Sequence, residues 1–483
     1  MNSEKRKKSK NDVVDALNNA SALPFHYRTW LVSGLGFFTD AYDLFIIGVV
    51  TSLLILAGWN SLSTFQIAVL TSTSLIAAII GSIVFGRLLD LLGRKAIYGI
   101  ELILMIAGAL GAAFLTPVNG IYILVAWRFI LGIGIGGDYA TSSVIMSEYS
   151  NTKNRGRFIG MVFSMQSLGL LAGPLIGLIF MTSGIAPAIT WRALLAIGAI
   201  PALLVVYFRR KMPETPKYSA IVRGDHAVAA YNLKKYTGLS AKMNNYSKSV
   251  ISKISFKNIL TNRKLLALVI ATAGSWFLMD WALYGNSIMS STMLGFLVPS
   301  TVTGIQHLIQ TTEYTAIIFG IAAFPGYWIA ALTLDKLGRK KIQLTGFLMM
   351  ALSFGILGMF PVLSTSSYVV QFLILYGISY FFIEFGPNMT TFIYPTEVFP
   401  ISARGTGTGI AAAGGKLGAF VGTFLNLFII GALHESGLFL LLAGFATIGF
   451  AITLFILPET KGKSIEETSD ETKFMQPVTS KIK

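Results

Sequence analysis

The loop Asp90-Leu91-Leu92-Gly93-Arg94-Lys95 is repeated as Asp335-Lys336-Leu337-Gly338-Arg339-Lys340, 245 positions further along a chain of 483 residues. The repeat is not isolated. Glu148 with Arg155-Gly156 recurs as Glu397 with Arg404-Gly405 at an offset of 249, and Asp40 recurs as Asp280 at 240. Half the chain is about 241 residues, so the sequence reads as two similar halves joined end to end.

Working outward from the two loops, each copy closes an apolar stretch of membrane-crossing length. A span needs about 20 mostly apolar residues. Such stretches lie near 30–56, 65–89, 96–116, 121–147, 157–183, 188–208, 265–297, 313–334, 342–361, 367–394, 405–430 and 437–457. Composition agrees: 54% of residues are apolar, against 38 basic and 22 acidic ones, whereas a soluble domain is near a quarter charged. The sequence therefore predicts an all-α membrane protein with twelve transmembrane helices in two pseudo-symmetric six-helix halves. Its expected segments are an arm over 1–27, a first half over 28–208, a central loop over 209–264, a second half over 265–457 and a tail over 458–483.

The net charge of +16 does not indicate nucleic acid, because the basic residues fall in short gaps between apolar runs and not on one folded surface with aromatics. Without cysteine, disulfides and thiolate metal sites are excluded. Four scattered histidines show no metal spacing, and no cofactor is implied. The basic start, Lys5 to Lys10, runs into polar residues instead of an apolar signal core. Orientation follows from the loops. The connections 57–64, 117–120, 184–187, 298–312, 362–366 and 431–436 contain no Lys or Arg, so the other loops and both termini are expected on the cytosolic side. The lipid bilayer is the expected surroundings, and nothing indicates an oligomeric state.

Two similar halves around a cytosolic loop describe a secondary transporter in which one half rocks against the other about a midplane site. The residues Asp90, Arg94, Glu148, Arg155, Asp335, Arg339, Glu397 and Arg404 then form a candidate cytosolic gate. Pairs made or broken there would bias the two rocking states; the plainer reading is that the basic residues hold topology.

Ionisable groups inside spanning helices are costly and mark function. Here they are Asp40, Asp43, Glu101, Arg128, Asp138, Asp280, Glu384 and Lys416. Glu101, Glu148 and Glu397 lie near span ends, where a side chain can snorkel to water. Asp280 lies about fifteen residues into its stretch, near the bilayer centre. Trp276, Asp280 and Tyr284, four apart, share one helix face. Lys416 needs an anionic partner, for which Asp280 and Glu384 compete. The run Gly132-Ile133-Gly134-Ile135-Gly136-Gly137 matches a dinucleotide fingerprint in form alone; within an apolar helix it predicts close helix packing.

The halves, the repeated loops and nearly the whole chain resemble the major facilitator superfamily. Pro213-Glu214-Thr215-Pro216 and Pro458-Glu459-Thr460-Lys461-Gly462 resemble markers of its sugar-porter branch. Gly36-Phe37-Phe38-Thr39-Asp40-Ala41-Tyr42-Asp43, Gly136-Gly137-Asp138-Tyr139, Gly386-Pro387-Asn388-Met389-Thr390-Thr391-Phe392 and Gly415-Lys416 resemble the phosphate:proton symporters. Where that family has Pro after Asp-Tyr, this chain has Ala140-Thr141-Ser142-Ser143. The resemblance implies no enzyme but a plasma-membrane importer of inorganic phosphate with protons. An organic-acid or sugar:proton symporter is the alternative, and a non-transporting nutrient sensor a lesser one.

By the same resemblance, Tyr139, Gln166, Trp276, Asp280, Tyr284 and Asn388, with Lys416, would bind the anion. Asp40, Asp43, Asp138, Arg128 and Asp280 would couple the proton, with Asp43 and Arg128 resembling an Asp–Arg pair of proton-coupled relatives. An ionised Asp280 could accept a hydrogen bond from a protonated phosphate, which bare sulfate cannot offer; held as the neutral acid, it would donate to the anion instead.

Overall fold

The computed structural model describes residues 12–21, 24–59, 62–240 and 256–469. Lys5 to Lys10, the middle of the central loop and the last residues of the tail lie outside the described residues. Among those described there is helix and no strand. The spanning helices are α1 (Pro24–Leu56), α2 (Thr64–Leu92), α3 (Arg94–Phe114), α4 (Ile121–Tyr149), α5 (Arg155–Thr182), α6 (Pro187–Arg210), α7 (Arg263–Ser287), α8 (Gly304–Leu337), α9 (Arg339–Met359) and α10 (Ser366–Val398). The last continuous run, Arg404–Phe455, breaks at His434, whose φ of 57° and ψ of 179° are not helical. It is therefore two helices, α11 (404–433) and α12 (435–455), and the total of twelve spans is reached.

Local chemistry sets several ends. Ser63 and Gln66 form a reciprocal capping box at the start of α2. Asn262 caps α7 by accepting from the amides of Lys264 at 3.0 Å and Leu265 at 3.3 Å. Helices α2 and α8 both stop at a glycine in the repeated loop: Gly93 has φ 98° and Gly338 φ 94°, a region L-residues rarely enter. That conformation explains why glycine stands at the same place in both copies.

Two expected boundaries shift. The seventh stretch does not span 265–297, because α7 ends at Ser287. The apolar residues beyond it form the short turns Ser290–Met293 and Gly295–Leu297, with Met293, Leu294 and Leu297 folded into the bundle end. Hydropathy counts such residues as span although they only roof it. Conversely α8 begins at Gly304, inside the connection expected over 298–312. The central segment carries short helices at Pro216–Ile221, His226–Thr237 and Phe256–Thr261. The helix Asp12–Asn18 rests on the first two of these, with Val13 and Leu17 buried against Ala220, Ala229 and Leu233.

The halves meet along two main seams, α2 with α11 and α5 with α8. Small residues make the first possible: a side chain on Gly409 would strike the Ser82 carbonyl, and one on Gly86 the Gly405 carbonyl. At the second, Ser164 Oγ donates to the Tyr327 carbonyl at 3.0 Å and Trp328 Nε1 to Ser167 Oγ at 3.1 Å. Within the first half, Gly132 and Gly136 of α4 lie on the Ser74 and Ala78 carbonyls of α2, as the packing reading of that glycine run requires. Helices α8 and α10 each contain a wider turn, at Phe319–Ala323 and Glu384–Asn388. The second holds Gly386 at φ −103°, ψ −112° next to Pro387.

Gly338→Ala forces a strained backbone, roughly 1–3 kcal/mol, and sets a methyl 2.5 Å from Glu459 Oε2. It should lower the thermal midpoint of the purified protein by a few degrees, as should Gly93→Ala. Gly462→Ala, with φ 73° but open space around it, should cost less; equal midpoints for all three variants would count against this account.

Candidate functional site

The site lies on the seam between the halves. Lys416 of α11 is about twelve residues from the start of its helix and Gln166 of α5 about eleven, roughly 17 Å at 1.5 Å per residue, near the middle of a 30 Å hydrocarbon layer. The three α7 residues expected on one face all point inward: Trp276 and Asp280 are 0% exposed and Tyr284 1%. Lys416 Nζ donates to Asp280 Oδ2 at 3.0 Å and to the Tyr284 hydroxyl at 2.9 Å, and Trp276 Nε1 donates to Asp280 Oδ1 at 3.2 Å. Of the two carboxylates competing for Lys416, Asp280 therefore holds it. The ammonium also sits 4.1 Å from the ring centres of both Tyr139 and Tyr284.

From there a single hydrogen-bonded row crosses between the halves and back. The hydroxyls of Tyr284 and Tyr139 are 2.8 Å apart, and Gln166 Nε2 donates to Tyr139 at 2.5 Å. The Tyr327 hydroxyl donates to Gln166 Oε1 at 3.1 Å and accepts from Asn388 Nδ2 at 2.8 Å. Asn388 also donates to Glu384 Oε2. All seven residues expected at the binding site are thus in one network, together with Tyr327 and Glu384. Aromatic side chains close both ends. Phe163 stacks on Phe392 at 4.3 Å on the side of the repeated loops, while Phe45 stacks on Tyr284 at 5.0 Å on the other. Further out on that second side, Gly48 lies against the Ile288 carbonyl, and the Ser52 and Ser291 hydroxyls are 3.4 Å apart.

The residues expected to couple protons, apart from Asp280 already described, divide into three groups. Asp138 is locked: Arg209 of α6 bonds it at 2.6 and 3.0 Å, and Ser142 donates at 2.5 Å. Arg209 also bonds Glu101 at 3.0 Å. The expected Asp43–Arg128 pair is not closed; both are fully buried, the two carboxyl oxygens and three guanidinium nitrogens have no hydrogen-bond partner among the described residues, and no ion pair joins them. The Asp43 carboxyl lies against Gly198 of α6 and within electrostatic reach of Arg128. Asp40 is likewise buried without a hydrogen-bond partner, within the electrostatic reach of Asp138, Arg209, Lys416 and Asp43.

The idea that Glu101, Glu148 and Glu397 reach water is corrected, since each is 0% exposed and paired. The closed bundle covers these helix ends, so buried arginines meet the carboxylates in place of water. Glu148 and Glu397 are among the eight residues expected to form a gate, and these come together as two matching clusters. Arg94 bonds Glu148 at 2.6 Å and Arg339 bonds Glu397 at 2.7 Å. Across the seam, Arg155 reaches Glu397 at 2.9 Å and Arg404 lies 3.6 Å from Glu148. The repeated aspartates act chiefly as caps of the opposite half. Asp90 accepts from the amides of Gly405 at 3.1 Å and Thr406 at 2.7 Å, Asp335 from those of Gly156 at 3.1 Å and Arg157 at 2.8 Å.

Sequence reasoning missed three groups. Thr215 and Thr460 each donate to a gate glutamate at 2.5 Å, while Glu214 and Glu459 each accept from the amide of a gate arginine at 3.0 Å. The doubled Pro-Glu-Thr of the two markers was their signal. Arg209 and Tyr327 carried none, one being a basic residue at a helix end and the other a lone tyrosine in an apolar run. A final clasp ties the tail to the central loop and the arm, where Lys217 meets Glu466 at 3.4 Å and both bond Asn18. Lys217 and Asn18 hold the Glu466 carboxyl down at about 2, and burial pulls the Lys217 ammonium below the usual lysine range.

A family model described as sugar (and other) transporter matches residues 25–471. The chain belongs to that family. The probable inorganic phosphate transporter 1-6 of Arabidopsis thaliana is 36% identical, over 95% of this chain and 96% of its own. The low affinity inorganic phosphate transporter 4 of Medicago truncatula is also 36% identical, over 95% and 94%. Among solved structures, the proton:xylose symporter XylE of the major facilitator superfamily, bound to 6-bromo-6-deoxy-D-glucose, matches with a TM-score of 0.75 at 22% identity, covering 93% of this chain and 99% of that one. The fold is therefore the major facilitator fold. The chain is a multi-pass membrane transporter and not an enzyme.

Within this transporter, the Lys416–Asp280 pair sets a sharp expectation. Breaking one side of a buried pair costs about 3–5 kcal/mol. Asp280→Asn should lower the thermal midpoint, and adding Lys416→Met should restore most of the loss; a double variant no better than the single would mean that the pair is not what the ammonium depends on. The clasp gives a pH test. A carboxyl held at about 2 contributes stability that is complete above the ordinary glutamate range and fades as the pH falls toward that value. The midpoint difference between the wild type and Glu466→Gln should stay constant from about pH 5.5 to 7.5 and shrink below about pH 4.5.

Proposed function

We propose that this transporter carries inorganic phosphate together with protons into the cell by alternating access. In this reading the face bearing the repeated loops is cytosolic, as are both termini, and the membrane is the plasma membrane. The relatives named as inorganic phosphate transporters support the cargo. The observation that carries the reading is the Lys416–Asp280 pair, sealed midway between two halves and surrounded by uncharged hydrogen-bonding side chains from both.

Such a site suits an anion that must be held and then released. Uncharged donors bind an anion without the depth of a fixed charge, and the one ammonium is already shared with Asp280. An arriving phosphate competes for Lys416, while Asp280, relieved of part of its bond, accepts from a P–OH group. The Tyr139–Tyr284 contact opens to admit the oxygens, so that both halves grip the anion. Protons enter through Asp40 and Asp43, carboxyls that have burial but no hydrogen bonds. A charge in that setting is costly, so closure favours the protonated acids. Asp138 takes part only once Arg209 lets it go. Separation of the loop-bearing face breaks Arg155–Glu397 and Arg404–Glu148 and uncaps α5 and α11, leaving each helix start for water to satisfy.

In proteoliposomes with an acidic outside, radioactive phosphate should accumulate, and arsenate should block it where carboxylates and sugars do not. Asp280→Asn should abolish accumulation. Uptake of a carboxylate or sugar in place of phosphate would overturn the cargo, and equal accumulation by the variant would overturn the residue.

A further inference from the structure

Glu384 takes no part in the proton and anion steps proposed for this transporter, although it is 0% exposed and lies midway along the spanning helix α10. It opens the wide turn of α10, Glu384–Asn388, and a glycine at 326 on α8 makes room for its Cβ, 3.0 Å from where a side chain would begin. Its surroundings are unusual for a carboxylate. Asn388 Nδ2 donates to Oε2, whereas Oε1 has no hydrogen-bond partner among the described residues. Among the described residues no lysine, arginine or histidine forms an ion pair with it. Helix α8 faces it with Tyr327, α10 itself contributes Tyr380, α9 meets the turn through Gly346 against Gly386, and the charged group of α7 that acts on it is Asp280, of the same sign. Lys416 of α11 is engaged by Asp280 and Tyr284.

A carboxylate taken out of water without a counter-charge costs several kcal/mol, which a proton relieves. The neutral acid keeps a carbonyl oxygen able to accept from Asn388. That bond matters for the site because the Asn388 amide has two hydrogens and both are placed: one on Glu384, the other on Tyr327, which in turn orients Gln166. We propose that Glu384 is a substrate-positioning residue that works as the neutral acid, fixing Asn388 and, through it, the Tyr327–Gln166 side of the anion site. Ionised, it adds a second negative charge beside Asp280 and the incoming anion, and the site opens or loosens. The inference rests on the proposal that the cargo is an anion; its effect is on how tightly the anion is held, not on how many protons accompany it.

Three variants and two readouts test this. Glu384→Gln keeps the accepting oxygen without a charge; Glu384→Met keeps the volume alone. In phosphate counterflow at equal pH on both sides, Glu384→Gln should match the wild-type KM at pH 5.5 and hold it to pH 8.5, where the wild-type KM should have risen about tenfold relative to it. Glu384→Met should raise KM about tenfold at every pH with kcat little changed, the loss of one hydrogen bond. Glu384→Asp serves as the charged control and should follow the wild-type pH trend. A Gln variant inactive at all pH values, a Met variant indistinguishable from wild type, or a Gln variant that exchanges phosphate but no longer accumulates it under a pH gradient would each overturn the proposal, the last by making Glu384 a coupling carboxylate. A substrate-free arm separates this outcome from failure of the cargo reading. In this proposal the folded state holds the acid neutral, so wild-type stability should fall relative to Glu384→Gln as the pH rises above about 4.3, whatever the transporter carries; parallel melting curves from pH 5 to 8.5 would sink it.

Discussion

A charge in the middle of a bilayer has no water to turn to, so each one must be met by another group of the protein or by a proton. In this transporter that constraint organises the molecule from end to end. At the loop-bearing face, four arginines and two glutamates are buried together and shared across the halves. In the centre, one lysine and one aspartate hold each other. Between them, Arg209 joins Asp138 to Glu101, and three carboxyls, Asp40, Asp43 and Glu384, stand without a hydrogen-bonded cation. Where charges are paired across the seam, the pairing holds the halves closed. Where they are not, the function proposed above lets protons bind.

Repetition explains how the closed face is built from one short set of residues used twice. Each half presents an aspartate that caps the start of the other half's fifth helix, an arginine that bonds its own glutamate, and a Pro-Glu-Thr turn whose threonine and glutamate complete the cluster. Neither cluster is finished within its own half, since the helix starts capped by Asp90 and Asp335 belong to α11 and α5. Parting the halves on this face therefore uncovers both sets of amides at once. Such an arrangement tends toward two states, fully made or fully broken, which is what a rocking transporter requires.

Several parts of this were legible in the residues alone. Twelve spans, the halves and the repeated charged clusters could be read because length, hydropathy and exact recurrence are properties of position along the chain. The helix face bearing Trp276, Asp280 and Tyr284 could be read because four-residue spacing has one geometric meaning. Boundaries failed at α7 and α8, where apolar residues roof the bundle and polar ones begin a helix. Asp43 and Arg128 were expected to pair because they resemble a pair of proton-coupled relatives; they lie within electrostatic reach of each other without a closed ion pair, and the carboxyl lies against Gly198.

By itself the sequence determined the architecture and the inventory of buried charges, since both depend on how many apolar residues lie in a row and which polar ones interrupt them. The tertiary structure decided the partners. That Lys416 chose Asp280 over Glu384, that Arg209 reached back from the end of α6 to lock Asp138, and that Tyr327 linked Gln166 to Asn388 all depend on rotations and crossings of helices far apart in the chain. Partnership is a matter of a few ångströms between helices, and spacing within one helix carries no information about the orientation of another.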